Sequence, residues 1–505
     1  MSKFLGRLGS TTISKGIEDA GNNNTGGEET PLVDRTEHLI DTVEDELGEL
    51  TNADDLAVSS CESFGQLVSF YAIGKDSLRN GGLNRSGIML LQKGIESALK
   101  PITDFEQDKI YSSLESFGGA GSRERATRVS LEGLGDTIAN WFKQIIDFLL
   151  NLGNKIKGVM VKMFNSAGRM KKLVASTKAK ADALTGAANP KNYDDEGIAL
   201  ALHIAGVVPA SASMVTAATA MAELVKVINT GFTKNTSSDS IGKITDFVGN
   251  FADKDKIKGA VEQYLAMVSV YEVPGLANET NAEKRKVSDT NAYDISVTSE
   301  MLGGRCVWRA IAKANGSLLS GLESYGLEDE DLIEAAKAQS SAKPAAAQGA
   351  DTAGGGATTD TAPKTETKDY SSVKGVLKSQ IIMTEFNPDF DKSKVKKNIV
   401  YFEKADIIKA MDALEPSFDT IGNLNNAMVK AEEKRRKLTD AAKKASSTSV
   451  NDEDVGVKAN ASLAVDLLKA AAVSLDSFPA QAIGYIMTTT KNLVSHAQKS
   501  MSLYK

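Results

Sequence analysis

Leu39, Ile40, Val43, Leu47 and Leu50 recur at helical spacing in EHLIDTVEDELGEL, and acidic residues fill the opposite face. SFGQLVSFYAIGKDSLR and SGIMLLQKGIESALKPI predict two more helices, split by the turn signal NGGLN. Residues 31–115 therefore read as a small helical unit of their own. The clearest pattern follows in DTIANWFKQIIDFLLNLGNKIKGVMVKMFNSAGRMKK. Ile138, Trp141, Phe142, Ile145, Leu149, Leu152, Ile156 and Met163 form one apolar face, and Asp136, Asn140, Lys143, Asp147 and Asn151 form the other. Lys155 and Lys157 extend its positive charge.

Beyond residue 182 the chain alternates Ala-rich helical stretches with two strand candidates, VSVYEV and YDISVTS. IALALHIAGVVPASASMVTAATAMAELVKVI is long enough to cross a bilayer. His203, Pro209 and several Ser and Thr interrupt it, which favours a buried helix pair turning at Pro209. An Ala, Gly, Thr, Pro and Lys tract over residues 336–370 cannot bury enough apolar surface to fold, and reads as a linker. After it, SQIIMTEF and NIVYFEK predict a β-hairpin. Two long helical regions, Ala405 to Ser446 and Asn460 to Met501, are expected to pair antiparallel. The expected class is mainly α: helical bundles with a few short strands, in a multi-segment chain with flexible linkers. Its segments are a disordered tail (1–30), an acidic helical propeptide (31–115), an exposed spacer (116–132), a helical body (133–335), the linker, and an α-rich C-terminal domain (371–505).

Charge sharpens this division. Residues 1–132 hold 13 basic and 22 acidic side chains, a net charge of −9, whereas residues 133–505 are at +2. Residues 133–180 alone carry nine basic and two acidic side chains. Three readings are open for that cationic amphipathic helix: a core helix with solvated lysines, a contact for the acidic leader or DNA, or an interfacial membrane helix. The near-neutral body argues against strong nonspecific DNA affinity, which needs several phosphate contacts. KAEEKRRKLTDAAKK interleaves acids with its bases and reads as a charged helix surface.

The chemistry of small active sites is missing. Two cysteines and three histidines have no metal-ligand spacing, and the cysteine usage fits a reducing interior. GGAGSRERA lacks the Lys-Ser/Thr of a phosphate loop. No Gly-x-Ser-x-Gly or His-Glu-x-x-His sequence occurs. No catalytic, metal or cofactor set can be assigned, which argues against an enzyme.

What stands out instead is a repeated tripeptide. Ser113, Leu114 and Glu115 recur as Ser130, Leu131 and Glu132. Between the copies lie Gly118, Gly119, Gly121 and Ser122, which let a chain extend at little steric cost. A protease pocket can select the Glu by charge and a small Ser two residues earlier by size. The same spacing also fits two helix ends bracketing a loop.

SLESFGGAGSRERATRVSLEGLG, followed by a Trp-containing cationic helix, resembles the processed head proteins of large tailed bacteriophages over about Thr36 to Lys180. The resemblance implies a prohead protease that cuts after Glu in a small-x-Glu context during head maturation. Carried over, Glu115 and Glu132 precede the scissile bonds, and Ser116 and Gly133 become new N-termini. It implies a structural protein of the virion head interior, assembled in the host cytoplasm. The implied partners are the prohead protease, the capsid shell or other head proteins, and weak contact with packaged DNA. A cut leader is expected to diffuse away and free the cationic helix. A scaffold or assembly factor, or a membrane-active protein ejected with the DNA, are the alternatives.

Overall fold

Apolar residues spaced three and four apart hold both N-terminal stretches in single long helices. α1 (Leu32–Arg79) spans 48 residues and joins the first two predicted helices into one. It ends at Gly81 and Gly82, whose φ values of 89° and 83° suit glycine alone. α2 (Arg85–Leu99) follows, with the Asn84 side chain accepting from the Gly87 amide at 2.8 Å. α3 (Ser122–Asp182) has 61 residues and is therefore about 90 Å long.

The computed structural model describes residues 32–99, 122–189, 191–236, 240–279, 293–313, 374–448, 454–471 and 475–504. The expected tail, the expected linker, and Ser113, Leu114, Glu115 and Ser116 lie outside these residues. The remaining helices are α4 (Glu196–Leu202), α5 (Ser211–Asn235), α6 (Gly242–Gly249), α7 (Asp255–Ser269), α8 (Lys404–Thr448), α9 (Val455–Lys469) and α10 (Leu475–Met501). The protein is mainly α, as the periodicity predicts. α4 and α5 are the expected pair turning at Pro209, and Asp195 caps α4 by accepting from the Ile198 amide at 2.9 Å.

α3 is the axis of the fold. α1, α8, α9 and α10 all pack along it. Phe142 lies 5.9 Å from Phe64 of α1 and 5.4 Å from Phe251, centroid to centroid. Lys157, Lys171 and Lys178 climb α3 as their partners Glu432, Asp419 and Asp412 descend α8, so the two helices run antiparallel. α1 also runs antiparallel to α3, with Gly74 against Leu131 near one end and Glu46 against Lys162 farther along. Buried side chains from Ala53 to Ala497 form one continuous core.

Several expectations are corrected here. Within the 31–115 stretch, α1 packs on α3, α9 and α10. The predicted hairpin splits between two sheets. β5 (Gln380–Glu385) pairs antiparallel with β4 (Arg305–Ala312), in a sheet ordered β2 (Ala277–Asn278), β3 (Tyr293–Val297), β4, β5. β6 (Asn398–Val400) pairs instead with β1 (Asn192–Asp194). The β4–β5 pairing joins strands from either side of the expected linker. VSVYEV is the end of α7 and a turn, because the Tyr271 ring docks edge-on to Phe478, 5.1 Å away, and fills the space beside Gly231. The second C-terminal helical region is two helices, α9 and α10. α8 packs chiefly on α3 and α5 and only lightly on α10.

His496 of α10 lies where β1 and β6 meet the helices. Its ring stacks on Phe402 at 5.3 Å, and its Nδ1 is 2.5 Å from the Tyr193 hydroxyl. Burial holds the imidazole down at about 4, below its ordinary 6.5. The folded state thus resists a proton that the unfolded chain accepts. Its contribution is complete above pH 6.5 and is lost as pH falls from 6.5 toward 4. We expect the stability advantage of the native chain over His496→Gln to shrink by about 3 kcal/mol between pH 7 and pH 4, read by urea unfolding. A constant difference would contradict this reading of the site.

Candidate processing site and cationic helix face

The second Ser-Leu-Glu copy lies inside α3, where sequence reasoning placed an extended spacer. Residues 122–132 form its first three turns. Arg, Glu and Ala in SRERATRVSLEG suit a helix, and Ala126, Thr127, Ser130, Leu131 and Leu134 all face inward, none more than 8% exposed. Ser130 and Leu131 are therefore buried, Glu132 points to solvent, and Gly133 is half-buried. The Thr137 hydroxyl donates to the Gly133 carbonyl at 2.8 Å.

The α1–α2 hairpin clasps this end of α3. Leu131 packs on Gly74, where a β-carbon would collide with its side chain. Tyr71 lies against Gly135. The Leu83 amide donates to the Thr127 hydroxyl at 2.8 Å, which itself donates to the Arg123 carbonyl at 2.8 Å. A β-carbon on Gly82 would come within 2.7 Å of the Arg123 and Glu124 backbone. Gly82 of NGGLN is thus a docking residue as well as a turn residue. The sequence signals the turn, but the close approach of two backbones 40 residues apart leaves no local mark.

The amphipathic face divides as its period predicts. Ile138, Trp141, Phe142, Ile145, Leu149 and Leu152 are all at most 3% exposed. Lys143 is exposed, and Lys155 and Lys157 are half-buried. Lys162 pairs with Glu46 of α1, so the acidic leader does meet the cationic helix. Three other lysines turn to α8 instead: Lys157 to Glu432 at 2.5 Å, Lys171 to Asp419 at 2.6 Å, and Lys178 to Asp412. These three lysines fall on one heptad position, as flanking ion pairs do in paired helices. Hydrogen bonding to Asp419 and Asp412 raises the Lys171 and Lys178 ammonium groups above their ordinary value. Hydrogen bonding to Lys157 lowers the Glu432 carboxyl. The charged run on α8 is likewise engaged. Lys434, 8% exposed, donates to the Asn235 carbonyl at the end of α5, and Arg435 forms a half-buried pair with Asp476.

Among the described residues, no group of three His, Cys, Asp or Glu side chains is placed to hold a metal ion. Ser211–Asn235 is the one helix among them long and apolar enough to cross a membrane, by length and composition alone.

A family model described as phiKZ-like phage internal head proteins matches residues 28–497. No curated protein and no solved structure gives a match.

The clasp gives a paired test. Gly81 has the same left-handed backbone as Gly82 but open space around it. Gly81→Ala should cost about 1 kcal/mol, from strain alone. Gly82→Ala adds the collision with α3 and should cost at least about 2 kcal/mol. Amide exchange over residues 123–132 should rise in the Gly82 variant and stay unchanged in the Gly81 variant. Equal behaviour of the two would remove the clasp.

Proposed function

Because the chain belongs to the phiKZ-like phage internal head proteins, matched over residues 28–497, we propose that it is made as a precursor and cut by the phage prohead protease after Glu132 and after Glu115. As a member of that family it is a structural protein of the virion, housed inside the head. The observation that carries the processing reading is the duplicated Ser-Leu-Glu flanking a glycine-bearing stretch, next to the acidic leader.

The folded chain suggests an order for the two cuts. A protease must draw several residues into an extended strand, and the Glu132–Gly133 bond lies within α3. Leu131 must leave its seat on Gly74 before that bond can be cut. Helix ends open at lower free energy than cores. Cutting after Glu115 first shortens the tether and lets the first turns of α3 fray toward Glu132. Weak contact with packaged DNA and contact with other head proteins would use the exposed polar surface. The apolar face of α3 is occupied within the chain, which disfavours the membrane-active alternative.

The virion form should begin at Gly133, by N-terminal sequencing or intact mass. Glu132→Gln should leave a chain that begins at Ser116. Glu115→Gln should slow the cut after Glu132 as well as abolish its own. A chain beginning at Met1 in mature virions would overturn the processing reading.

A further inference from the structure

We infer that α1 and α2 remain docked on the body after the chain between α2 and α3 is cut, so that the leader becomes a tightly held second subunit. The inference rests on the processing reading for the place of the cut alone. Its physical basis is the interface that the cut would leave behind.

That interface has the character of a protein core. Ala57, Phe64, Leu67, Val68 and Tyr71 of α1 are at most 4% exposed. They are sealed by α3, α9 and α10, which all belong to the body. The Phe64 ring sits against Phe142 at 5.9 Å. Gly484 of α10 leaves the space that the Leu47 side chain fills, beside Met163 of α3. Obligate subunit interfaces resemble a domain core cut in half, and this one fits that description.

A half-buried polar seam sets the register. Lys374 donates to the Ser462 hydroxyl at 3.1 Å and pairs with Asp466 at 3.6 Å, and it packs directly against Gly65 of α1. Three residues past Asp466 on the adjoining turn of α9, Lys469 lies 3.8 Å from Asp54 of α1. Lys458 of α9 sits over the Tyr71 ring at 4.9 Å. None of these contacts uses residues 100–121, which supply the covalent connection. Cutting that connection removes a tether and leaves every one of them in place.

The test nicks the folded full chain with an exogenous sequence-specific protease, at a recognition site inserted between Gly118 and Gly119. A denaturing gel confirms complete nicking, and gel filtration in native buffer at micromolar concentration reads association. The fragments should elute as one species and part only in denaturant. Phe64→Ala in the same nicked protein should speed loss of the N-terminal fragment roughly a hundredfold, through the cavity it opens against Phe142. Separate elution of the two fragments from the unmodified nicked chain would overturn the inference. It would leave the processing reading standing, since no prohead protease is used. A virion chain beginning at Met1 would do the reverse, ending the processing reading while the docked fragments still support this one.

Discussion

A helix of 61 residues with a wide apolar face cannot stand alone in water, and the fold is organised around covering α3. α1 covers one side of it and α8 another, both antiparallel, with α9 and α10 closing the gap. Phe142 shows the consequence at a single residue. It touches the leader through Phe64 and the body through Phe251. The side chains that give residues 133–505 their core are therefore the same ones that hold α1.

That sharing changes what an acidic leader does. A charged mask over a positive helix would rest on exposed ion pairs, each worth little and weakened by salt. Here four lysines of α3 are divided between Glu46 of α1 and three acids of α8, so the body neutralises part of its own charge. The leader is held by apolar burial instead. Loss of α1 would expose a long apolar strip on α3, α9 and α10, a liability for any protein packed in a crowded head. A structural protein that kept this strip covered, even if the chain between α2 and α3 were cut, would avoid that exposure.

The parts of this fold that depend on local pattern were legible in the sequence: the amphipathic run from Ile138 to Leu152, the NGGLN turn, the α4–α5 turn at Pro209, and the strands at Tyr293 and Gln380. What escaped depends on partners distant in sequence. SRERATRVSLEG is polar and follows glycines, so it looked like an exposed tether. Its helix-compatible residues become a docked helix end only because Gly74 and Gly82 admit them closely. Strand pairing was hidden for a similar reason. β5 finds β4 across more than 60 residues, whereas its near neighbour β6 goes to β1. A hairpin is the usual expectation for two nearby strands, but the intervening 3₁₀ turn at Lys392–Lys394 carries β6 away to the other sheet.

The polar seam between α1 and α9 bears on specificity more than on strength. Burial raises the Asp466 carboxyl against the lowering effect of Lys374 and Lys469, so desolvation offsets much of what the pairing contributes. The same burial raises the Cys61 thiol, which sits inert beside the seam. An all-apolar interface of the same shape would hold at least as well, but it would tolerate sliding of one helix along the other. Asp54 opposite Lys469, and Lys374 seated against Gly65, penalise any shift, because a one-turn slip would part the half-buried ion pair and bring a side chain against Lys374. Register along α1 in turn decides whether Gly74 meets Leu131 and Gly82 meets Arg123. The ionic seam near the middle of α1 thereby fixes how its far end grips the first turns of α3 around Glu132.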